Sequence, residues 1–113
     1  MKLAIVGSRN FHNYLLVENC IDNYIKTTNI SPSLIISGGA SGVDALAEQY
    51  AKNKNIEIQV FPADWKTHGK KAGPMRNSLI VEAATHIITF PSKDSVGTYD
   101  TIIKQKNQIK NYL

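Results

Sequence analysis

Apolar and polar positions along this chain alternate between two periods. Leu3-Ala4-Ile5-Val6 is a short apolar run that stops at Gly7-Ser8-Arg9-Asn10, the pattern of a buried strand followed by a polar loop. Beyond Asn13, the residues Val17, Cys20, Ile21, Tyr24 and Ile25 recur at helical spacing. This predicts an amphipathic helix capped by Asn13 and ended by Thr27-Thr28-Asn29. Leu34 to Ser37 reads as a second strand. Val43, Leu46, Ala47, Tyr50 and Ala51 place a second helix over 43–53. Ile56, Ile58, Val60 and Phe61 form a third strand, whose polar alternation puts it toward a sheet edge. Residues 62–74 read as a long polar connection. A helix opening near Pro74 then carries Met75, Leu79, Ile80, Ala83 and Ala84 inward. His86 to Phe90 is a fourth strand, and a last helix is predicted from about Tyr99, burying Ile102, Ile103 and Ile109, with 111–113 docking its end or fraying.

Strands that alternate with helices imply parallel strands joined by right-handed crossovers. The predicted class is α/β, a Rossmann-like three-layer α/β/α arrangement with a mainly parallel sheet. With 113 residues, the chain suits a single domain spanning 1–113 with one core.

Composition changes this picture little. No apolar run approaches the roughly 20 residues that span a bilayer, so no membrane partner is expected. The apolar start is too short for a signal peptide. Cys20 is the only cysteine, which excludes a disulfide scaffold and makes a reducing cytoplasm the expected compartment. It falls on the apolar face of the first helix, where packing is its expected role. The net charge of +4 suits an anionic ligand without specifying nucleic acid. Lys66, His68, Lys70, Lys71 and Arg76 gather in one glycine-containing segment.

The chemistry concentrates at Ser37-Gly38-Gly39-Ala40-Ser41-Gly42-Val43-Asp44. A strand ends there, glycines follow, and a helix begins. Such a turn either makes a tight bend or presents backbone amides and a helix start to a phosphate. In an open parallel sheet, ligands bind beyond the carboxyl ends of the strands. Those ends are Gly7-Ser8-Arg9, Ser37 to Asp44, Pro62 to Trp65, and Pro91 to Thr98. Each is small, glycine-bearing or polar, and together they favour a ligand site. Gly38, Gly39 and Gly42 offer amides. Gly97-Thr98 offers a second anion site. Arg76 offers bidentate pairing to a phosphate or carboxylate. Asp44 contacts ligand or complements the helix start, and Asp64 bonds a ribose hydroxyl or orients its loop. Trp65 stacks a base or caps the core. His68 is an acid–base candidate without an evident partner, and Asn77 bonds a base edge or caps a turn. No metal-ligand spacing, Cys–His pair, G-x-S-x-G turn, dinucleotide fingerprint or Walker pattern is present. No metal or cofactor is implied.

Gly7-Ser8-Arg9, Ser37 to Asp44, Pro62-Ala63-Asp64-Trp65, His68-Gly69-Lys70, Ala72-Gly73-Pro74 and Arg76-Asn77, in that order, resemble the small stand-alone YspA/YpsA-related branch of the SLOG superfamily. That superfamily includes the DNA-processing protein DprA and the LOG phosphoribohydrolases. The resemblance covers nearly the whole chain. It implies a Rossmann-like fold that binds a nucleotide-derived ligand through Gly7, Ser8, Arg9, Ser37, Gly38, Gly39, Ala40, Gly42, Val43, Asp44, Asp64, Trp65, His68, Lys70, Gly73, Arg76, Asn77, Gly97 and Thr98. Met75-Arg76 resembles the arginine motif of LOG enzymes. Pro91 and Gly97-Thr98 resemble parts of their P-G-G-x-G-T-x-x-E motif, with spacing two residues longer and Thr101 at the glutamate position.

Three functions follow as expectations. The first is binding of an ADP-ribose-like or nucleoside-phosphate molecule, as a sensor or sequestering protein. The second is N-glycosidic cleavage of a nucleoside monophosphate with Arg76 and Asp100 as catalytic candidates; the missing glutamate makes binding the stronger expectation. The third is DprA-like single-stranded DNA binding along the basic 66–76 segment, which modest charge and a scarcity of aromatics disfavour. Apolar helix faces would also allow a homodimer or higher homo-oligomer.

Overall fold

The structure, a computed structural model, describes residues 1–90 and the backbone of 111–112. β1 (Lys2–Gly7), β2 (Leu34–Ser37), β3 (Glu57–Val60), β4 (His86–Phe90) and β5 (Asn111–Tyr112) form a parallel sheet in the order β3-β2-β1-β4-β5. The helices are α1 (Tyr14–Thr28), α2 (Val43–Asn53), the single-turn α3 (Trp65–His68) and α4 (Ala72–Ala83), with a 3-10 turn at Gly69–Lys71 joining the last two.

Side chains of a strand point alternately to opposite faces, and the core divides accordingly. Leu3, Ile5, Ile35 and Ile88 pack with Val17, Ile21 and Tyr24 of α1 and with Val43, Ala47, Tyr50 and Ala51 of α2. Their neighbours Ala4, Val6, Ile36 and Ile87 pack on the other side with Ile80 and Val81 of α4. Helices therefore cover both faces, as the three-layer expectation requires. Connections from β1 run outward through β2 to β3, then return across to β4. The order reverses between β1 and β4, and ligand crevices of open α/β sheets form at such a reversal.

Local signals explain the element ends. Asn13 Oδ1 accepts from the Leu16 N–H at 3.2 Å, capping α1. Asn29 adopts a left-handed conformation (φ 57°) and its N–H donates to the Ile25 carbonyl, closing that helix. β3 lies at the edge with every residue exposed, consistent with its polar alternation.

Four expectations are corrected. Residues 62–74 are not a loop: Asp64 caps α3, and α4 opens at Ala72, so Pro74 falls third in its first turn, where proline is tolerated. The inward face of α4 differs in part. Ile80 and Ala84 are buried and Ala83 packs against the same core, as expected, but Met75 and Leu79 are 45% and 51% exposed. Ala72, Gly73, Asn77 and Val81 are buried as well, and polar Asn77 on that face is what periodicity alone does not select. Cys20 is half-buried at the border of its face rather than within it. Asn111 and Tyr112 form β5, paired with His86 and Ile87 of β4. The predicted last helix lies outside the described residues. Among those described, no helix is long and apolar enough to cross a membrane.

Ile36 is fully buried and Leu15 is 66% exposed. Ile36→Ala is expected to cost about 2–5 kcal/mol and Leu15→Ala no more than about 0.5 kcal/mol, measured by denaturant unfolding.

Candidate functional site: a glycine-walled groove at the sheet rim

The carboxyl end of β1 is the anchor of the rim. Ser8 is buried; its N–H donates to the Phe90 carbonyl at 3.1 Å and its carbonyl accepts from the Val43 N–H at 3.0 Å. One residue thus joins the end of β4 to the start of α2. Its Oγ accepts from the Asn10 N–H at 3.1 Å, folding the next residues over. Gly42 makes this junction possible. A Cβ there would lie 2.2 Å from the Ser8 carbonyl oxygen, and its φ of +72° suits glycine. Gly7 faces similar crowding, with the Phe90 carbonyl 2.7 Å from its Cβ position.

The turn after β2 is held from inside. The Ser37 Oγ accepts from the Gly39 N–H at 3.1 Å and lies within hydrogen-bonding distance of Glu48 Oε2 (3.1 Å) and the Asp44 carbonyl (3.3 Å). Asp44 Oδ2 accepts from the Ala40 N–H at 3.2 Å. The amides of Gly39, Ala40 and Val43 are therefore donated within the protein. The turn is a hydrogen-bonded bend, and these three amides are already used in holding it.

Two charged groups flank this turn. Arg76, in the second turn of α4, donates from Nη1 to the Gly38 carbonyl at 2.7 Å and from Nε to Asn77 Oδ1 at 3.0 Å. This ties the helix on one face of the sheet to the loop after β2. Asp44 is 5% exposed, and its Oδ1 has no hydrogen-bond partner. A Cβ on Gly38 would sit 2.8 Å from both Arg76 Nη1 and Asp44 Oδ2. The two groups border one small space, yet the ion pair found among the described residues is elsewhere, between Lys54 and Asp22. Burial pushes the Asp44 carboxyl above the usual carboxylate range; the Ala40 N–H and the charges of Arg76 and Arg9 oppose this, and Glu48 adds to it. Burial likewise lowers the Arg76 value, with Asp44 opposing and Arg9 reinforcing the shift; a guanidinium remains charged throughout the neutral range. Glu48 is absent from the sequence-derived set. Its signal was its spacing, since four residues beyond Asp44 on a helix is the same face.

The third wall is α3. Asp64 Oδ1 accepts from the Thr67 N–H at 3.1 Å, so this aspartate orients its own segment. Hydrogen bonds from Thr67 hold its carboxyl below the ordinary value. Trp65 is 49% exposed and does not cap the core. Its ring lies over Gly73, whose Cβ position is 3.1 Å from Cη2, and the Arg9 guanidinium stands 5.9 Å from a Trp65 ring centroid. Stacking of this kind draws a planar cation to an aromatic face.

Together these walls enclose a groove of about 360 Å³ lined by Arg9, Gly38, Gly39, Ala40, Ser41, Pro62, Ala63, Trp65 and Arg76. Six of the sequence-derived residues line it: Arg9, Gly38, Gly39, Ala40, Trp65 and Arg76. Gly7, Ser8, Ser37, Gly42, Val43, Asp44, Gly73 and Asn77 support it from behind. Asp64 caps α3, while His68 and Lys70 are exposed and do not line the groove. Ser41, Pro62 and Ala63 are additional lining residues, drawn in by the motifs they interrupt. Gly97, Thr98 and Asp100 lie outside the described residues. Among those described, no three histidine, cysteine, aspartate or glutamate side chains group as a metal site.

A parallel α/β sheet with a glycine-rich turn and two arginines at its carboxyl rim defines a Rossmann-like domain. The chain belongs to the YspA, cpYpsA-related SLOG family, whose model matches residues 1–68. It is 38% identical over 103 residues to the Gene 61 protein of Mycobacterium phage D29, covering 86% of this chain and 82% of that protein. In structure it is similar to DNA processing protein A (DprA) from Streptococcus pneumoniae, with a TM-score of 0.76 at 18% identity. That match covers 98% of this chain and 48% of the DprA chain, so this chain spans about half the length of DprA, and the likeness is one of fold.

Gly42→Ala is expected to destabilise more than Gly69→Ala. Both have positive φ, but a Cβ at Gly69 meets nothing within 4 Å, leaving only the backbone cost of a side chain at positive φ, roughly 1–3 kcal/mol. Equilibrium unfolding compares them. Asp44 gives a second expectation. A carboxyl raised in the folded state favours folding fully below its unfolded value, and that contribution is lost as pH rises through the folded value. Asp44→Asn should therefore melt above wild type at neutral pH, with the gap closing as pH falls toward the ordinary aspartate value of 3.8. Thermal melts across that range check it.

Proposed function

We propose that this chain binds a nucleotide-derived small molecule, ADP-ribose-like or a nucleoside phosphate, in the rim groove, and acts as a sensor or a sequestering protein. The observation that carries this reading is Arg76. The protein holds it by neutral oxygens of Gly38 and Asn77, with no carboxylate at ion-pair distance among the described residues, so the guanidinium keeps donors for an incoming anion. Arg9 adds a second positive charge beside an exposed indole. An anion-binding wall next to an aromatic surface suits a phosphate attached to a planar base. The groove volume of about 360 Å³ lies within the range of roughly 300–1,000 Å³ common for small-molecule sites. Family membership supports a Rossmann-like framework for such a site.

The test is isothermal titration against nucleoside mono- and diphosphates and ADP-ribose. Wild type should bind at least one of them. Arg9→Ala removes a surface side chain and should weaken that binding, and Arg76→Ala should weaken it at least about tenfold, the lower range for a hydrogen bond to a charged group. Absence of binding at millimolar concentrations, or affinity unchanged in both variants, overturns the reading.

A further inference from the structure

β3 ends the sheet, and every one of its residues is exposed. Glu57-Ile58-Gln59-Val60 holds neither lysine nor proline, residues that commonly keep sheet edges from pairing. Ile58 and Val60 are 38% and 37% exposed. The Phe61 N–H donates inward to the Ser37 carbonyl at 2.9 Å. Backbone groups of successive strand residues point to opposite sides, so Gln59 also faces β2, and Ile58 and Val60 turn their N–H and C=O groups outward. Ile58 pairs with Ile35 and Val60 with Ser37, which places both side chains on the α2 side of the sheet; Gln59 pairs with Ile36 and lies on the α4 side. The outward row is bounded at both ends. The Ile56 N–H is used by the Ala51 carbonyl at 2.8 Å, and Pro62 has no N–H to offer. Ile58 and Val60 thus supply the free donors of this edge and its exposed apolar side chains together.

We propose that this edge pairs with the same edge of a second copy of the chain, antiparallel about a two-fold axis normal to the sheet, with Ile58 opposite Val60 of the second copy and Gln59 opposite Gln59. Such an axis keeps the α2 sides of both sheets on one side. Residues opposite one another in a ladder share a face, so apolar positions must meet apolar ones. Ile58 opposite Val60 does this on both sides of the axis, and each pair exchanges both of its N–H···O bonds. Sliding the register by two residues either way calls on the N–H of Ile56 or of Pro62, and neither is free to donate. Charge agrees with this register. Glu57, the one charged residue of the strand, stands opposite Phe61 of the second copy, so no like charges oppose one another. A second copy is favoured over a strand from another protein because the edge complements itself: reversal about Gln59 lays each apolar residue on the other. The inference is independent of the binding reading. Because the strands run antiparallel across the axis, the two grooves open at opposite ends of one continuous sheet.

Sedimentation velocity from micromolar to millimolar protein should show a monomer–dimer equilibrium. Ile58→Pro removes an outward N–H without breaking a bond to β2, and should weaken the self-association at least about tenfold. Amide hydrogen exchange of the wild-type protein does not depend on a variant folding. The Ile58 and Val60 amides should slow as concentration rises, while Gln59, bonded to β2, is slow throughout. Cysteine pairing reads the register in a Cys20→Ser background. Gln59→Cys should form an interchain disulfide under oxidised glutathione, since opposed residues of that kind lie about 4.5 Å apart at Cα. Glu57→Cys should not, its two copies being about 13 Å apart along the strands. A dimer undiminished in Ile58→Pro, association that leaves Ile58 and Val60 exchange unchanged, or a Gln59→Cys protein that stays uncrosslinked overturns the proposal. A chain that stays monomeric to millimolar concentration also overturns it and leaves the edge to a strand from another protein.

Discussion

Everything at this rim depends on how closely α2 approaches the end of β1. The Val43 N–H reaches the Ser8 carbonyl at 3.0 Å, and Gly42 is the residue whose missing Cβ permits it. That contact fixes where α2 starts and hence where Asp44 and Glu48 point. It also positions the loop that carries Arg9. Because Ser8 simultaneously bonds Phe90, the strands on either side of the topological reversal are held at one height. The groove inherits its shape from this junction of backbone groups more than from any side chain.

Arg76 and Asp44 show how the two helical layers communicate. α4 packs on one face of the sheet and α2 on the other, and both send a charged group over the rim to the same glycine. Each is half or wholly buried, so each suffers from desolvation, and their mutual attraction offsets only part of that. Direct pairing would relieve more. The structure instead gives Arg76 to neutral oxygens and leaves Asp44 under-satisfied.

The framework was legible because its signals are short-range. The apolar runs of Leu3–Val6 and Ile35–Ile36, the Asn13 cap and the Asn29 stop all act within a few residues, and the structure follows them. The edge position of β3 was readable from its polar positions. What escaped has a physical reason in each case. The α3 segment is one turn long and owes its helicity to the Asp64 cap, a signal easily lost in a basic, glycine-bearing stretch. The face of α4 was hidden because Asn77 is buried while Met75 and Leu79 are not, a choice made by the tertiary surroundings of Arg76. The glycine turn was legible in position but not in purpose: sequence cannot say that Gly42 yields to a backbone from residues far away in the chain. Of the six groove-lining residues in the candidate site, Arg9, Gly38, Gly39, Ala40 and Trp65 came from motifs at strand ends and Arg76 from its place at a helix start within the basic segment; Glu48 required reading Asp44 as part of a helix face.

Trp65 is the one tryptophan in the chain, and it sits half-exposed at the groove mouth with a guanidinium 5.9 Å away. Indole emission is sensitive to neighbouring charge and to solvent. The protein therefore carries its own unlabelled optical probe at the place of most interest. Any event that moves Arg9, displaces water from the ring or tilts the single turn of α3 changes that signal. The five tyrosines leave it undisturbed when excitation is at the red edge of the absorption band.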